Sequence, residues 1–262
     1  MDRNGQRICA VVPAAGRGSR LGVDTPKILT PLGEGRSVLS VLCRKLLTVA
    51  DHINLIVSPE GYTPITAAIA REGLANRTTL SIQPEPVGMG DAIFCGYPVW
   101  SQAGSILIVW GDQVFVSTGT LRTGCLLHAG EDRTLLIPVA AMAQPYVEYI
   151  FASDDRLIAV KQSREGEVCA PGGFGDVGTF VLSVEGLREQ WLAYTASAAV
   201  GVATGEVNFL PFLPYLSAKH WKVRRFAVAD EREALGINTP QDLAFFQSIL
   251  GNPTSREGET TR

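Results

Sequence analysis

Short apolar runs alternate with longer segments of helical periodicity over the first half of the chain. The apolar runs are rich in Ile, Val and Leu, which is typical of buried strands. They lie at residues 8–13, 53–58, 79–83 and 105–110. Amphipathic segments separate them, at residues 37–50, 62–72 and 89–102. This alternation predicts βαβ units and a mainly parallel sheet, with ligands bound at the carboxyl ends of its strands.

The pattern changes after about residue 135, where strand-like segments follow one another with few helices between them. They lie at residues 135–140, 147–151, 157–162 and 178–183. We interpret the region of about 135–183 as an antiparallel extension of the sheet that carries substrate contacts. The predicted fold class is therefore α/β, with a Rossmann-like mixed, mainly parallel sheet flanked by helices.

Helical periodicity returns toward the end of the chain. Helices are predicted at 184–198 and 207–219, a strand at 222–228 and a last helix at 239–250. Thr239 and Pro240 favour a helix start, because a threonine can cap the helix and proline fits its first position. We predict one domain over residues 1–250 and a polar, disordered tail over 251–262.

Charge and composition exclude several classes of partner. The formal net charge is −3, and acidic and basic residues are interspersed, so neither a nucleic acid nor a membrane surface is expected as a partner. The sequence has no apolar run of about 20 residues and no secretory apolar region near its start, which predicts a cytoplasmic protein. The five cysteines form no CxxC pair, which argues against a zinc cluster or a disulfide scaffold.

The most informative segment, VPAAGRGSRLG at residues 12–22, directly follows the first predicted strand. Its small residues let the backbone approach a ligand and present N–H groups to phosphate. These candidates are Ala14, Ala15, Gly16 and Gly18. Arg20 adds a fork-shaped cation for outer phosphates, and Lys27 in the following TPKIL segment adds a point charge.

Other glycine-rich loops fit this segment less well. The dinucleotide-binding fingerprint requires a third glycine where Leu21 stands, and the GxxxxGK[ST] pattern of a P-loop is absent. A purely structural turn is the remaining alternative. It explains neither Arg20 nor the Pro26–Lys27 pair, so we favour a phosphate-binding role.

Together, AAGRGSRLG and TPKILTPL resemble the signature of the sugar-1-phosphate nucleotidyltransferases, especially the UDP-N-acetylglucosamine pyrophosphorylase domain. The resemblance extends over residues 7–250. It implies that Gln83, in the segment QPEPVGMGDA, hydrogen-bonds the pyrimidine edge and that Gly88 packs on the base. Gln83 could instead simply close a strand before Pro84.

The same resemblance implies a magnesium site. Asp112 ends the WGD segment and Asn238 lies in EALGINTP, and these two residues match the family's Mg²⁺ ligands. Either residue could instead be a turn former. Magnesium suits a site with one or two protein oxygens completed by phosphates and water. The attacking phosphate monoester is already largely ionised near neutral pH, so no general base is required. In this scheme Lys27 bridges the two reacting phosphates and Arg20 holds the departing pyrophosphate.

Three residues are candidates for binding the acceptor. Asp176 stands in GDVGT where the family has a sugar-contacting asparagine, and Glu206 lies in the family-like segment GEVN. Glu165 lies near the family's acceptor-facing glutamate, although a solvated turn explains it equally well. The carboxylate of Asp176 favours an acceptor other than N-acetylglucosamine 1-phosphate.

These features predict a Mg²⁺-dependent nucleotidyltransferase that condenses an NTP, with UTP favoured, with a sugar 1-phosphate or similar phosphorylated acceptor. The products are an NDP-sugar and pyrophosphate. Two alternatives stay open: a cytidylyltransferase for a phosphorylated alcohol or phosphonate, and a non-catalytic nucleotide-binding regulator. A homo-oligomer is compatible with the sequence.

Overall fold

The computed structural model describes residues 7–16, 21, 25–128 and 131–250. The sequence candidates Gly18 and Arg20, and the tail at 251–262, lie outside the described residues.

Twelve strands lie within the described residues. In chain order they are β1 (Ile8–Pro13), β2 (Pro31–Gly33), β3 (Arg36–Ser37), β4 (His52–Val57), β5 (Thr78–Ile82), β6 (Ser105–Val109), β7 (Thr134–Ala141), β8 (Val147–Phe151), β9 (Leu157–Gln162), β10 (Phe174–Asp176), β11 (Thr179–Ser183) and β12 (Lys222–Ala227).

Eight α-helices lie in the same part of the chain. They are α1 (Val38–Leu46), α2 (Pro59–Arg71), α3 (Met89–Cys95), α4 (Tyr97–Trp100), α5 (Thr118–His128), α6 (Leu187–Thr195), α7 (Phe212–Ala218) and α8 (Pro240–Leu250).

Ten of the strands form one mixed sheet in the order β5-β4-β1-β6-β11-β7-β10-β8-β9, with β12 added beside β7. Strands β5, β4, β1 and β6 are mutually parallel, and β12 is parallel to β7. Antiparallel pairing begins at β11 and continues through β7, β10, β8 and β9. The predicted fold class, a mainly parallel sheet with an antiparallel extension, is confirmed.

Alternating side chains of β1 enter two different cores. Ile8, Ala10 and Val12 pack with α1, α2, α5 and α8 on one face of the sheet. Cys9 and Val11 pack with α3, α4, α6 and α7 on the other face. Because both faces are covered, the central strands are continuously apolar, which is why the sequence shows runs there rather than alternation. Each fully buried Val or Ile contributes about 1.5–3 kcal/mol.

The short strands β2, β3 and β10 were not predicted from the sequence, and two helical regions also differ from the prediction. Helix α5 was not expected, because its sequence TGTLRTGCLLH begins with weak helix formers. The helix predicted over 89–102 is divided at Gly96 into α3 and α4. A side chain at Gly96 would overlap Asn54 Oδ1, so the chain must pass β4 closely at this point.

Within the residues that the structure describes, none of the helices combines the length and hydrophobicity needed to span a bilayer.

Candidate active site

The carboxyl ends of β1 and β6 meet at the edge of the sheet where ligands were expected. Gly111 follows β6, and a Cβ there would lie 2.7 Å from Pro13 O at the end of β1. This close approach requires glycine and places Asp112 beside the loop that begins at Ala14.

Lys27, Asp112 and Asn238 converge at this edge. Lys27 Nζ lies 2.7 Å from Asp112 Oδ2 and 2.8 Å from Asn238 Oδ1. The side chains of Lys27 and Asp112 are 20% and 19% exposed, so the group is reachable from solvent. The structure thus brings together three residues that the sequence singled out separately.

The segment that carries Asn238 is fixed at both ends. Ile237 N donates to Asp112 O at 3.2 Å, which ties the segment to the end of β6. Asp242 Oδ2 accepts the N–H groups of Asn238 and Thr239 at 2.9 and 2.8 Å, and Thr239 Oγ1 accepts Asp242 N–H at 3.2 Å. This reciprocal cap is the helix start that Thr239 and Pro240 predicted.

The buried carboxylate of Glu233 links the segment that carries Asn238 to the segment that follows Asp112. Glu233 is 6% exposed, and its Oε2 accepts Ser117 N–H at 2.8 Å. The backbone of Gly236 lies close to both side chains, since a Cβ there would lie 3.1 Å from Asp112 Cγ and 3.2 Å from Asn238 Nδ2. The separation of Asp112 and Asn238 is therefore set by backbone packing.

A first cavity of about 310 Å³ opens beside this group. Eight sequence candidates line it: Ala14, Ala15, Gly16, Lys27, Gln83, Gly88, Asp112 and Glu206. Ala14 N–H already donates to Ile56 O at 2.7 Å, so it is not available to a phosphate. Of the three small residues in the described part of the loop, Ala15 and Gly16 are left to offer backbone N–H groups.

Gln83 lies at the wall of the first cavity and is 5% exposed. Its Nε2 donates to Gly88 O and to Asp91 Oδ2, both at 2.9 Å. Both amide hydrogens are thereby used, and Oε1 is left as an acceptor. Gly88 has φ 133°, and a Cβ there would lie 3.0 Å from Val207 O, so this position requires glycine.

A second cavity of about 370 Å³ lies on the other side of Asp112. Met89, Trp110, Asp112 and Glu206 line both cavities, which therefore share a wall. Asn238 and the acceptor candidate Asp176 line the second cavity alone.

Asp176 is held by three donors rather than left open to a ligand. Its Oδ1 accepts from Gly178 N at 2.7 Å and Tyr149 Oη at 2.9 Å, and its Oδ2 accepts from Trp110 Nε1 at 3.2 Å. Burial raises the pKa of Asp176, the three donors oppose that shift, and the charge of Asp112 adds to it. Burial also raises the pKa of Tyr149 well above its usual value. Asp176 therefore positions Trp110 in the cavity wall.

Glu165 is not brought to either cavity, contrary to the expectation that it faces the acceptor. Its carboxylate accepts Ala203 N at 2.9 Å, Thr204 Oγ1 at 2.9 Å and Asn208 Nδ2 at 3.1 Å. The Ala203 N–H is the main cause of its lowered pKa. Glu165 anchors the loop that presents Glu206 to both cavities.

Two residues of the second cavity were missed by the sequence argument. Gln113 and Gln162 line it and are 6% and 4% exposed. The one signal in the sequence was that Gln113 directly follows Asp112. How deeply a glutamine lies in a cavity depends on residues that are distant along the chain, so no local pattern indicates it.

In the part of the chain that the structure describes, no three side chains of the types His, Cys, Asp and Glu gather as a metal cluster. The edge instead offers one carboxylate and one amide oxygen. Such a set suits a cation whose other ligands are phosphates and water.

Comparisons with known proteins identify relatives of the chain. The chain is 26% identical over 247 residues to the bifunctional protein GlmU of Acidithiobacillus ferrooxidans, covering 92% of this chain and 51% of that protein. It is 25% identical over 249 residues to GlmU of Desulfitobacterium hafniense, with the same coverage of 92% and 51%. The chain thus spans about half the length of the curated relatives it matches.

A solved structure shares the fold. The 4-diphosphocytidyl-2C-methyl-D-erythritol synthase of Anaerococcus prevotii superposes with a TM-score of 0.64 at 16% identity, covering 95% of this chain and 98% of that chain. At this identity the likeness concerns the fold alone.

A family model described as the MobA-like NTP transferase domain matches residues 10–198. The match spans most of the described chain, including the loop after β1, Gln83 and Asp112. The family resemblance drawn from the motifs is thereby confirmed. The chain belongs to the MobA-like NTP transferase domain family.

Proposed function

We propose that this protein joins a nucleoside triphosphate to a phosphorylated small molecule and releases pyrophosphate, with UTP as the favoured donor and a sugar 1-phosphate as the favoured acceptor. The observation that carries the proposal is the meeting of Lys27, Asp112 and Asn238 at the wall between two cavities. Two cavities that share such a wall suit two substrates that react across it.

The first cavity suits the nucleotide. Gln83 offers only an acceptor oxygen, so it selects a base edge that presents an N–H group. The N3–H of uracil meets this requirement. The N–H groups of Ala15 and Gly16 would face the phosphates, since the chain passes the cavity there without large side chains.

The reaction follows from positioning and charge. An oxygen of the acceptor phosphate attacks the α-phosphorus of the NTP, the bond from that phosphorus to the bridging oxygen breaks, and pyrophosphate leaves with the electron pair. Lys27 lies where both reacting phosphates would meet, so its ammonium would offset the charge that spreads over them. Holding the two substrates in adjacent cavities supplies the orientation.

We further propose that Asp112 and Asn238 hold Mg²⁺. The ammonium of Lys27 demonstrates that their two oxygens converge on a single cationic position, at 2.7 and 2.8 Å. Both are hard oxygen donors of the type that magnesium prefers. When bound, the ion would neutralise phosphate charge at the reacting centre.

A cytidylyltransferase is the second candidate, and the same Gln83 supports it. The exocyclic amino group of cytosine presents N–H just as uracil N3 does, so an acceptor oxygen serves either base. The fold likeness to the diphosphocytidyl methylerythritol synthase is compatible with this candidate. Its acceptor would be a phosphorylated alcohol or phosphonate.

A matrix of nucleotides and acceptors tests the proposal. Each NTP is incubated with Mg²⁺ and sugar 1-phosphates, alditol phosphates or phosphonates, and pyrophosphate is measured. We expect release with UTP and a sugar 1-phosphate; release only with CTP would favour the second candidate. Absence of pyrophosphate with every acceptor, despite measurable NTP binding, would identify a non-catalytic nucleotide-binding protein.

A further inference from the structure

Two glutamines line the second cavity with side-chain amides that the protein leaves unused. Gln113 and Gln162 are 6% and 4% exposed. Gln113 Oε1 is buried and has no hydrogen-bond partner within the described residues. The side-chain amide of Gln162 also makes no hydrogen bond in the part of the chain that the structure describes, but it is not buried away from water and is open to the cavity.

Gln83 provides a comparison, because it is a buried glutamine whose side-chain amide is hydrogen-bonded within the protein. It is buried to the same depth, at 5% exposed, yet both hydrogens of its amide are bonded to Gly88 and Asp91. A buried amide without a partner is costly, because it has lost its water without gaining another hydrogen bond. Gln113 carries this cost, and Gln162 presents a second unpaired amide to the same cavity, so the two together indicate a ligand that pairs with them.

The carboxylates of the second cavity are already committed to the protein. Asp176 accepts three hydrogen bonds, and Asp242 accepts the N–H groups at the start of α8. Glu206 Oε2 lies 3.7 Å from Arg164 Nη2, so a cation of the protein already faces it. Beyond Asp112 at the shared wall, the cavity offers amides rather than free negative charge.

We propose that Gln113 and Gln162 determine acceptor specificity by hydrogen-bonding uncharged hydroxyl or amide groups on the body of the acceptor. The acceptor class is thus a phosphate ester with a neutral, hydroxylated or N-acylated body, and not the phosphate of a cationic alcohol. The inference rests on the proposed function for the assignment of the second cavity to the acceptor.

The test replaces each amide by an apolar side chain of equal length, in Gln113→Met and Gln162→Met. Turnover is measured with α-D-glucose 1-phosphate and with phosphocholine, each at saturating UTP and Mg²⁺. We expect the KM for glucose 1-phosphate to rise about tenfold to a hundredfold in each variant, because a site that hydrogen-bonds a hydroxyl discriminates through that bond. The KM for UTP should stay within about twofold, because neither residue lines the first cavity.

Thermal unfolding of the free protein separates ligand binding from a structural role. Removing the unpaired buried Oε1 of Gln113 removes its desolvation cost, so Gln113→Met should melt at the same temperature as the parent or higher. Gln162→Met should melt close to the parent, because it removes no hydrogen bond of the described residues. Gln83→Met is the matched control. It should melt at a lower temperature, because it leaves Gly88 O and Asp91 without their donor.

The remaining outcomes distinguish a failure of the inference from a failure of the proposed function. An unchanged KM for glucose 1-phosphate, or a lower melting temperature in both variants, would overturn the inference and leave the proposed function standing. A preference of the parent protein for phosphocholine would overturn the inference and the choice of a sugar 1-phosphate as acceptor, while nucleotidyl transfer itself would stand. If the parent released no pyrophosphate with any acceptor, the proposed function would fail. Calorimetric binding of glucose 1-phosphate would then decide: weaker binding in the variants supports the inference, and equal or absent binding refutes it.

Discussion

Lys27 connects two oxygens that come from distant parts of the chain. Asn238 lies 211 positions after it and Asp112 lies 85 positions after it. A single ammonium thus neutralises the carboxylate and orients the amide while no substrate is bound. Under the proposed function, a polyphosphate that enters the first cavity meets this ammonium, which belongs to the one Lys or Arg among the described residues that line that cavity.

Lys27→Met should lower turnover by about 10²- to 10³-fold, the range typical for losing a group that stabilises charge in the transition state. The fold should persist, because the side chain is 20% exposed. Pyrophosphate release and thermal melting measure the two effects. Lys219→Met, at an exposed lysine beside Tyr215, is the control and should leave turnover unchanged.

The same variant has a second readout that does not require turnover. Removing the ammonium frees Asp112 Oδ2 and Asn238 Oδ1, so Mn²⁺ should bind the nucleotide-free variant more tightly than the parent protein. Electron paramagnetic resonance of free Mn²⁺ measures this. Weaker binding, together with unchanged turnover, would remove Lys27 from the reacting centre.

Gly236→Ala should separate Asp112 from Asn238. Its Cβ would lie 3.1–3.2 Å from atoms of both side chains, which must shift to make room. We expect a loss of turnover of about 10²-fold, since a displacement of about 1 Å in an active site has that effect. Gly119→Ala in α5 is the matched control, because its Cβ would meet only Ser117 Oγ at 3.5 Å and turnover should not change.

At the scale of residues, the sequence indicated Lys27, Asp112 and Asn238 but not the bonding of the carboxylates around them. Lys27, Asp112 and Asn238 lie in motifs whose residue types suit phosphate and magnesium, so their meeting could be anticipated. The roles of Asp176 and Glu165 could not, because three donors from elsewhere in the fold occupy each carboxylate. A sequence indicates a carboxylate but not whether the fold has already used it.

At the scale of elements, the start of α8 positions Asn238, one of the three residues that meet at the edge of the sheet. The cap formed by Thr239 and Asp242 fixes the backbone of Asn238. A change in the cap should therefore affect both the stability of the helix and the position of the amide oxygen.

Asp242→Ala should cost about 0.5–2 kcal/mol of unfolding free energy, the range for losing a helix cap. It should also lower turnover, because the N–H groups of Asn238 and Thr239 lose their acceptor. Ser37→Ala is the control: it removes the cap of α1, so stability should fall by a similar amount while turnover is retained. Equal activities in the two variants would contradict the coupling.

Some strands and helices are easier to predict from the sequence than others. The runs of β1, β4 and β6 are buried on both faces, and their composition reports that directly. Helix α5 has weak intrinsic propensity and depends on packing against β7 and β11, which no local pattern indicates. The division at Gly96 depends on the side chain of Asn54, which belongs to another element.

At the scale of the whole molecule, burial in the sheet also controls the response to pH. Burial lowers the pKa of His52 on β4 below its usual 6.5, and the charge of Arg77 lowers it further. The unfolded chain therefore binds more protons at this site than the folded protein as the pH falls below 6.5. The contribution of neutral His52 is present above pH 6.5 and is lost on acidification through the folded pKa.

His52→Gln should reduce this loss of stability between about pH 7.5 and 5.5. Glutamine keeps a polar group near Thr79 Oγ1, which lies 2.9 Å from His52 Nε2, but it does not titrate. Urea unfolding at several pH values measures the slope of free energy against pH. An identical slope in the variant and the parent would show that His52 does not set it.

The span of 211 residues between Lys27 and Asn238 has a consequence for synthesis. A ribosome makes Lys27 and Gln83 early, so under the proposed function a nascent chain carries residues that would bind nucleotide long before Asn238 emerges. Chains that lack Asn238 should therefore not turn nucleotide over. Under the proposed function, activity would thus report that synthesis has passed Asn238, because only such a chain can complete the group formed by Lys27, Asp112 and Asn238.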